Sequence, residues 1–255
     1  MINKSEGNPN SGEYKKLYRG IWADKLENGD ELPVGGSIFS TELTSRLRLD
    51  FENFDNQLEG FTADSLAEHY HKGEEAIRSW IEKFKLDVDP ALFYVCFSVQ
   101  AKVDKLLEAN KVTDEQKRNK KYSDGVPSLS EFVGNSMCAE RATLAQYIFQ
   151  KLEMESSYMS GITMNNAEDT EECPVDHSFL VVKDRDGKPL VFDVARPISE
   201  QRYPRVMRAD FGFNAEMFEG EDNLLAQTSD VITGQEMYFG VGDKEEGRHK
   251  VIKGK

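Results

Sequence analysis

Three residues of this chain have the types and the order that thiol chemistry needs: Cys138, His177 and Asp193. The thiolate is the reactive form of cysteine, so a nucleophile needs surroundings that favour ionisation. Cys138 falls in the first turn of a predicted helix over 137–152, with Ser136 as its N-cap. Backbone N–H groups there have no intrahelical partner and the helix dipole is positive at that end, so both favour a thiolate. The same N–H groups can donate to a developing oxyanion.

His177 opens an apolar run, Ser178-Phe179-Leu180-Val181-Val182, that reads as a strand to Lys183. Asp193 lies in Val191-Phe192-Asp193-Val194, on a returning strand predicted over 188–194. Their separation of 16 residues is even, with its midpoint at Arg185 in the turn Asp184–Gly187. A symmetric hairpin about Arg185 sets His177 opposite Asp193 on one face. The loop Asp184-Arg185-Asp186 followed by Gly187 suits a three-residue connection with Gly in the left-handed conformation; a bulge at Gly187 would shift the register. A carboxylate between Phe192 and Val194 needs a partner, and His177 supplies one. Asp193 would then fix the tautomer of His177, whose other nitrogen takes the proton of Cys138. Each residue has a plainer reading by itself: a small residue at a helix start, a satisfied strand-edge histidine, a salt-bridged carboxylate. Their joint order on helix, strand and strand favours chemistry.

The remaining candidates are weaker. Cys96 sits in Leu92-Phe93-Tyr94-Val95-Cys96-Phe97 and is expected to be buried and inert. Cys173 lies in an acidic loop over 164–176. Three thiols without close spacing fit a reducing compartment rather than a disulfide framework. Cys173, Asp176 and His177 fall short of the four ligands of a structural zinc site, and no metal or cofactor is expected. His69 and His71 are two apart on a predicted helix and read as surface residues. Gly35-Gly36 is a lone pair, not a phosphate loop. Arg202, Arg205 and Arg208 recur every third residue and read as an exposed basic stretch, with an acidic-substrate clamp as the sharper alternative.

The elements around these residues are legible from periodicity and caps. Residues 62–86 place Leu66, Tyr70, Ile77, Trp80 and Ile81 at helical spacing, with Tyr70 and Trp80 read as core. Asp89-Pro90 is a cap followed by proline at the first helical position, opening a helix to about Asn110. The helix after Cys138 presents Ala142, Ala145, Ile148, Phe149 and Leu152 on one face. A strand is expected over 157–163, a loop over 122–130, a helix over 214–226 and a last strand over 237–241. Residues 14–60 read as loops with short elements.

The chain has 255 residues, 38% hydrophobic and 31% charged, as in a soluble globular protein. No apolar run approaches a membrane span. Met1–Glu13 is polar, reads as a disordered tail and has no apolar signal region. This suits a cytoplasmic chain, or one exported into a host cell without a classical signal. A net charge of −14 repels phosphate backbones, which argues against nucleic acid; its plainer reading is solubility, and a basic protein surface is the more natural partner. The expected organisation is a tail over 1–13, a mostly helical region over 14–122 that is a cap or part of the same domain, and a catalytic core over 123–255.

The segment Cys138-Ala139-Glu140-Arg141-Ala142-Thr143-Leu144 resembles the transglutaminase-like core motif, a Cys followed on the same helix by an acidic residue and then Ala. The order that follows, a strand ending near Gly161, one opening with His177 and one carrying Asp193, is similar to that family's. So are the gaps of 39 and 16 residues, which resemble those of compact bacterial members, among them effector and toxin domains that deamidate protein glutamines. The likeness spans about residues 130–195. It implies an α+β, papain-like fold with the nucleophile helix packed on an antiparallel sheet. Where that family often has an aromatic or glycine before the Cys, this chain has Asn135-Ser136-Met137. Papain relatives place an upstream amide in the oxyanion hole, for which Asn135 and Gln100 are the candidates. The implied activity is thiolate attack on a protein or peptide amide through a thioester, resolved by water (glutamine deamidase or protease) or by an amine (transglutaminase or acyltransferase). A binding module that kept the fold and lost the chemistry is the other class.

Overall fold

The N-terminal helices follow from their caps. In the computed structural model, which describes residues 21–34, 45–110, 126, 128–132, 138–165, 175–198, 203–208, 210–211, 224–229, 236–241 and 253, Thr62 opens the long helix α2 (Ala63–Phe84) by accepting the Ser65 N–H at 3.2 Å. A short 3-10 turn (Phe51–Phe54) and α1 (Asp55–Leu58) precede it. Lys85 closes α2 in the left-handed conformation, φ 51°. Asp89 accepts the Leu92 N–H at 3.0 Å and starts α3 (Pro90–Ala109), with proline where no N–H partner is needed. A single turn, α4 (Leu129–Phe132), begins inside the segment expected as loop. The Glu131 side chain accepts the Ser128 N–H there, half of a capping box, and Leu129 is buried. Helix α5 (Cys138–Lys151), with Leu152 just past its end, buries the whole predicted face from Ala142 to Leu152.

The strands are β1 (Ile21–Ala23), β2 (Glu31–Val34), β3 (Ser45–Arg48), β4 (Ser156–Asn165), β5 (Val175–Lys183), β6 (Pro189–Ile198), β7 (Tyr203–Arg208), β8 (Asp210–Phe211), β9 (Leu224–Ser229) and β10 (Glu236–Val241). β2 and β3 form a separate hairpin. The others make one antiparallel sheet in the order β7-β6-β5-β4-β10-β9-β8, and β1 also pairs with β4. β4 is central: β5 runs along one edge, while β1 takes residues 158–160 and β10 takes 162–165 of the other. The chain is thus mixed helix and sheet, α+β in general class. β4 reaches into, and β5 starts within, the segment expected as acidic loop.

Two expectations fail here. Residues 224–226, placed in a helix, belong to β9, because Leu224, Leu225 and Ala226 pair in register with Val241, Gly240 and Phe239; the rest of 214–223 lies outside the described residues. Trp80 is half-buried rather than core: it lies against Phe84, with centroids 4.2 Å apart, while Leu66, Tyr70 and Ile81 face inward. His69 and His71 are exposed. The tail 1–13 and the segment 111–125 lie outside the described residues.

Side chains alternate across the sheet. Tyr158, Leu180, Val182, Leu190, Phe192 and Val206 join the core with Ala142, Ile148 and Phe149 of α5, and Phe149 meets Phe192 edge-on at 6.1 Å. His177, Phe179, Val181, Val191, Asp193 and Arg205 alternate with these, so they share the opposite face. The same core takes Ile21, Ala23 and Leu26 from the N-terminal segment and Phe93, Cys96 and Val99 from α3.

Candidate active site

Cys138 is the first residue of α5, within the first turn where the sequence places it. The helix is fixed from two sides. Arg141, one turn along, pairs with Asp104 of α3 at 2.7 Å. Its far end is gripped by Gln150, which accepts the Leu26 N–H and donates to the Leu26 carbonyl, both at 2.8 Å. Gln146 donates to the Asp24 carbonyl and to Ser156 of β4, both at 3.1 Å.

His177 lies on β5 opposite Gly161 of β4, which has no side chain to crowd the ring. Its Nε2 is 3.0 Å from Oδ2 of Asp193, with the two side chains 3% and 0% exposed. The contact arises differently from the symmetric pairing. The β5–β6 register runs Leu180↔Phe192, Val181↔Val191, Val182↔Leu190 and Lys183↔Pro189, centred on Asp186 instead of Arg185. The connection is longer by two residues: the Asp184 N–H donates to the Lys188 carbonyl, and Gly187 takes φ +77°. Asp193 therefore stands diagonally from His177 rather than opposite. A shift of two preserves the face, because the side-chain period is two, and a diagonal neighbour is still within reach of an imidazole.

Beyond Asp193 the β6–β7 register breaks before Ile198, and the freed Ala195 N–H turns back to Oδ1 of Asp193 at 3.0 Å. One carboxylate oxygen is held by backbone and the other faces His177. The paired part of β5 and β6 starts at Leu180, and just beyond it the Ser178 N–H donates to the Cys138 sulfur. His177 also hydrogen-bonds Cys138. With Nε2 given to Asp193, Nδ1 is the nitrogen left for the thiol.

Burial pushes the Cys138 thiol up, but the hydrogen bond and charge of His177 and the Ser178 N–H outweigh it, and the thiol ends below its ordinary range. Burial likewise pushes His177 toward neutrality. The charge and hydrogen bond of Asp193, with Cys138, reverse this and raise it from 6.5 to about 9. Asp193 is fully buried, yet His177, the Ala195 N–H and Arg205 hold it below the usual carboxylate value. In all three groups the shift runs toward the ionised form: thiolate, imidazolium and carboxylate. Cys96 is the opposite case: it is fully buried, and burial alone drives its thiol far up, so it is inert.

Gln100 is buried on α3, while Asn135 and Cys173 lie outside the described residues. Arg205, expected on an exposed stretch, is 6% exposed and pairs directly with Asp193 across the β6–β7 ladder. The arginine spacing hid this, because Pro204 obscured the strand that turns Arg205 inward. Tyr158 is another residue missed: it is fully buried, and its hydroxyl lies 3.0 Å from Ser178 Oγ, directly behind the backbone that serves Cys138. Among the described residues no group of His, Cys, Asp or Glu is placed to hold a metal ion, and no helix is long and apolar enough to cross a membrane. No family model matches the chain, and comparison with curated proteins and with solved structures found no match either.

Proposed function

We propose that this chain is a cysteine-dependent hydrolase of protein or peptide amides, on a papain-like, transglutaminase-like core, with glutamine deamidation ahead of peptide cleavage. The observation that carries the reading is the line Cys138, His177, Asp193, its last two members buried, with each group shifted toward its ionised form. Cys138 Sγ attacks the amide carbonyl carbon. The proton on His177 passes to the leaving nitrogen as the C–N bond breaks, releasing ammonia or an amine and leaving a thioester. Water then attacks, His177 takes its proton, and the C–S bond breaks to return the thiolate and a carboxylic acid. Asp193 keeps the ring in place and stabilises the imidazolium throughout. Backbone N–H groups at the start of α5 are the natural donors to the oxyanion, with the amides of Gln100 and Asn135 as candidates for a second donor.

An activated ester tests the nucleophile without knowledge of the substrate. With p-nitrophenyl acetate, wild type is expected to release one nitrophenolate per chain in a burst and to carry the acetyl group on Cys138 by mass spectrometry. Cys138→Ala should do neither. No burst, or acetylation elsewhere, would remove the reading in favour of a binding module. Casein incubated with and without a dansylated amine then separates the outcomes: amide-to-acid conversion for a deamidase, fragments for a protease, fluorescent protein for an acyltransferase.

A further inference from the structure

Among the described residues, the face that carries His177 and Asp193 also holds a buried arginine that the triad chemistry leaves unused. Arg205 of β7 is the direct cross-strand partner of Asp193. Partners in register on an antiparallel pair share a face, with Cβ atoms about 5 Å apart. Both side chains are buried, at 6% and 0% exposure. A buried arginine is rare unless its charge is matched, and the carboxylate across the ladder supplies the match. Asp193 thus lies between two cations, His177 from β5 and Arg205 from β7.

We propose that Arg205 is a positioning residue of the triad: set across from Asp193 in the β6–β7 ladder and buried with it, it fixes Asp193 as a carboxylate and takes up part of its charge, so that His177 keeps a proton it can give away. This rests on the hydrolase reading of the same site. A carboxylate shared by two cations binds each less firmly than it would bind one. An imidazolium facing a buried, unshared aspartate would be a poor acid for the leaving nitrogen at neutral pH. Of the other groups near the pair, Cys138 of α5 hydrogen-bonds His177, Glu140 acts on the Cys138 thiol, and Tyr158 of β4, whose hydroxyl burial drives far up, stays neutral. In agreement, Arg205 is among the groups that hold Asp193 low.

The experiment is the titration of His177 by NMR of the imidazole, assigned by difference from His177→Ala among the four histidines, in wild type, Arg205→Gln and Arg205→Lys. Loss of the cation should move the His177 titration about one pH unit to the alkaline side, and Arg205→Lys should bring it back to within a fraction of that shift. A folded Arg205→Gln whose His177 titrates as in wild type would overturn the proposal, as would a shift that Lys does not reverse. Should Arg205→Gln not fold, Asp193→Asn is compared with the double variant Asp193→Asn/Arg205→Gln, in which no buried ion pair is split. Because Arg205 acts through the carboxylate, the His177 titration should be equal in these two, and a shift on loss of Arg205 there would overturn the proposal. The titration does not depend on turnover. An inert Cys138 in wild type would end the hydrolase reading while leaving this result legible.

Discussion

Asp193 is the residue on which the site's electrostatics turn. It is fully buried, has one oxygen on the Ala195 N–H and the other on His177, and lies across from Arg205. Asp193→Asn keeps the shape and removes the charge. Breaking a buried pair from one side costs about 3 kcal/mol or more, and acylation should fall on the order of a thousandfold; urea unfolding and burst kinetics read the two losses. The pH dependence of stability carries two signs. His177 is held charged up to about 9, so its contribution is complete below its ordinary value of about 6.5 and is lost as pH rises through 9. Asp193 is held below its ordinary 3.8, so its contribution is present above that value and is lost as pH falls through the depressed one. The urea midpoint should therefore drop between about pH 6 and pH 10, and by less in His177→Gln than in wild type.

At the scale of the element, the hairpin decides whether His177 and Asp193 meet. Gly187 has φ +77° with open space around its would-be Cβ, so a side chain there costs backbone strain alone. Gly187→Ala should lower stability by about 1–2 kcal/mol, read by thermal unfolding. It should leave Cys138 alkylation nearly unchanged as long as the register holds. The even spacing of the two residues was legible in the sequence, and with it their common face. The register was not: alternation repeats every two residues and is blind to a shift of two, which the longer Asp184–Lys188 connection imposes. Helices α2 and α3 were legible nearly to the residue, and in the structure Thr62 and Asp89 cap them by accepting the Ser65 and Leu92 N–H groups. β9 was not, since Leu224-Leu225-Ala226 has no strand signal apart from the partner strand that pairs with it.

Across the whole molecule, the site depends on residues more than a hundred positions away. β1 pairs with β4 through Ile21↔Ser160, Trp22↔Met159 and Ala23↔Tyr158, and all three of its residues are buried. Gln146 and Gln150 tie α5 to Asp24 and Leu26, and Lys253, near the other end of the chain, pairs with Asp30 at 2.8 Å. Nothing in three isolated residues, Ile21-Trp22-Ala23, announces a strand; only the open edge of β4 makes them one. The described residues between 21 and 110 share one core with α5 and the sheet. A fragment of residues 123–255 would expose the β4 edge and the core face of α5, and should be insoluble or lack cooperative unfolding. A fragment that folded and kept a reactive Cys138 would show that the N-terminal segment is a separable cap.

The central claim is that His177 holds Cys138 as a thiolate at neutral pH. It is tested most directly by the rate of iodoacetamide labelling across about pH 5 to 9, against an unperturbed thiol pKa of about 8.5, with the labelled cysteine mapped by mass spectrometry in wild type and His177→Ala. The account predicts fast labelling of Cys138 already below about pH 7 in wild type, slow labelling that rises only near the ordinary thiol pKa in His177→Ala, and an unlabelled Cys96 in both. Equal, slow labelling of Cys138 with and without His177 would contradict it.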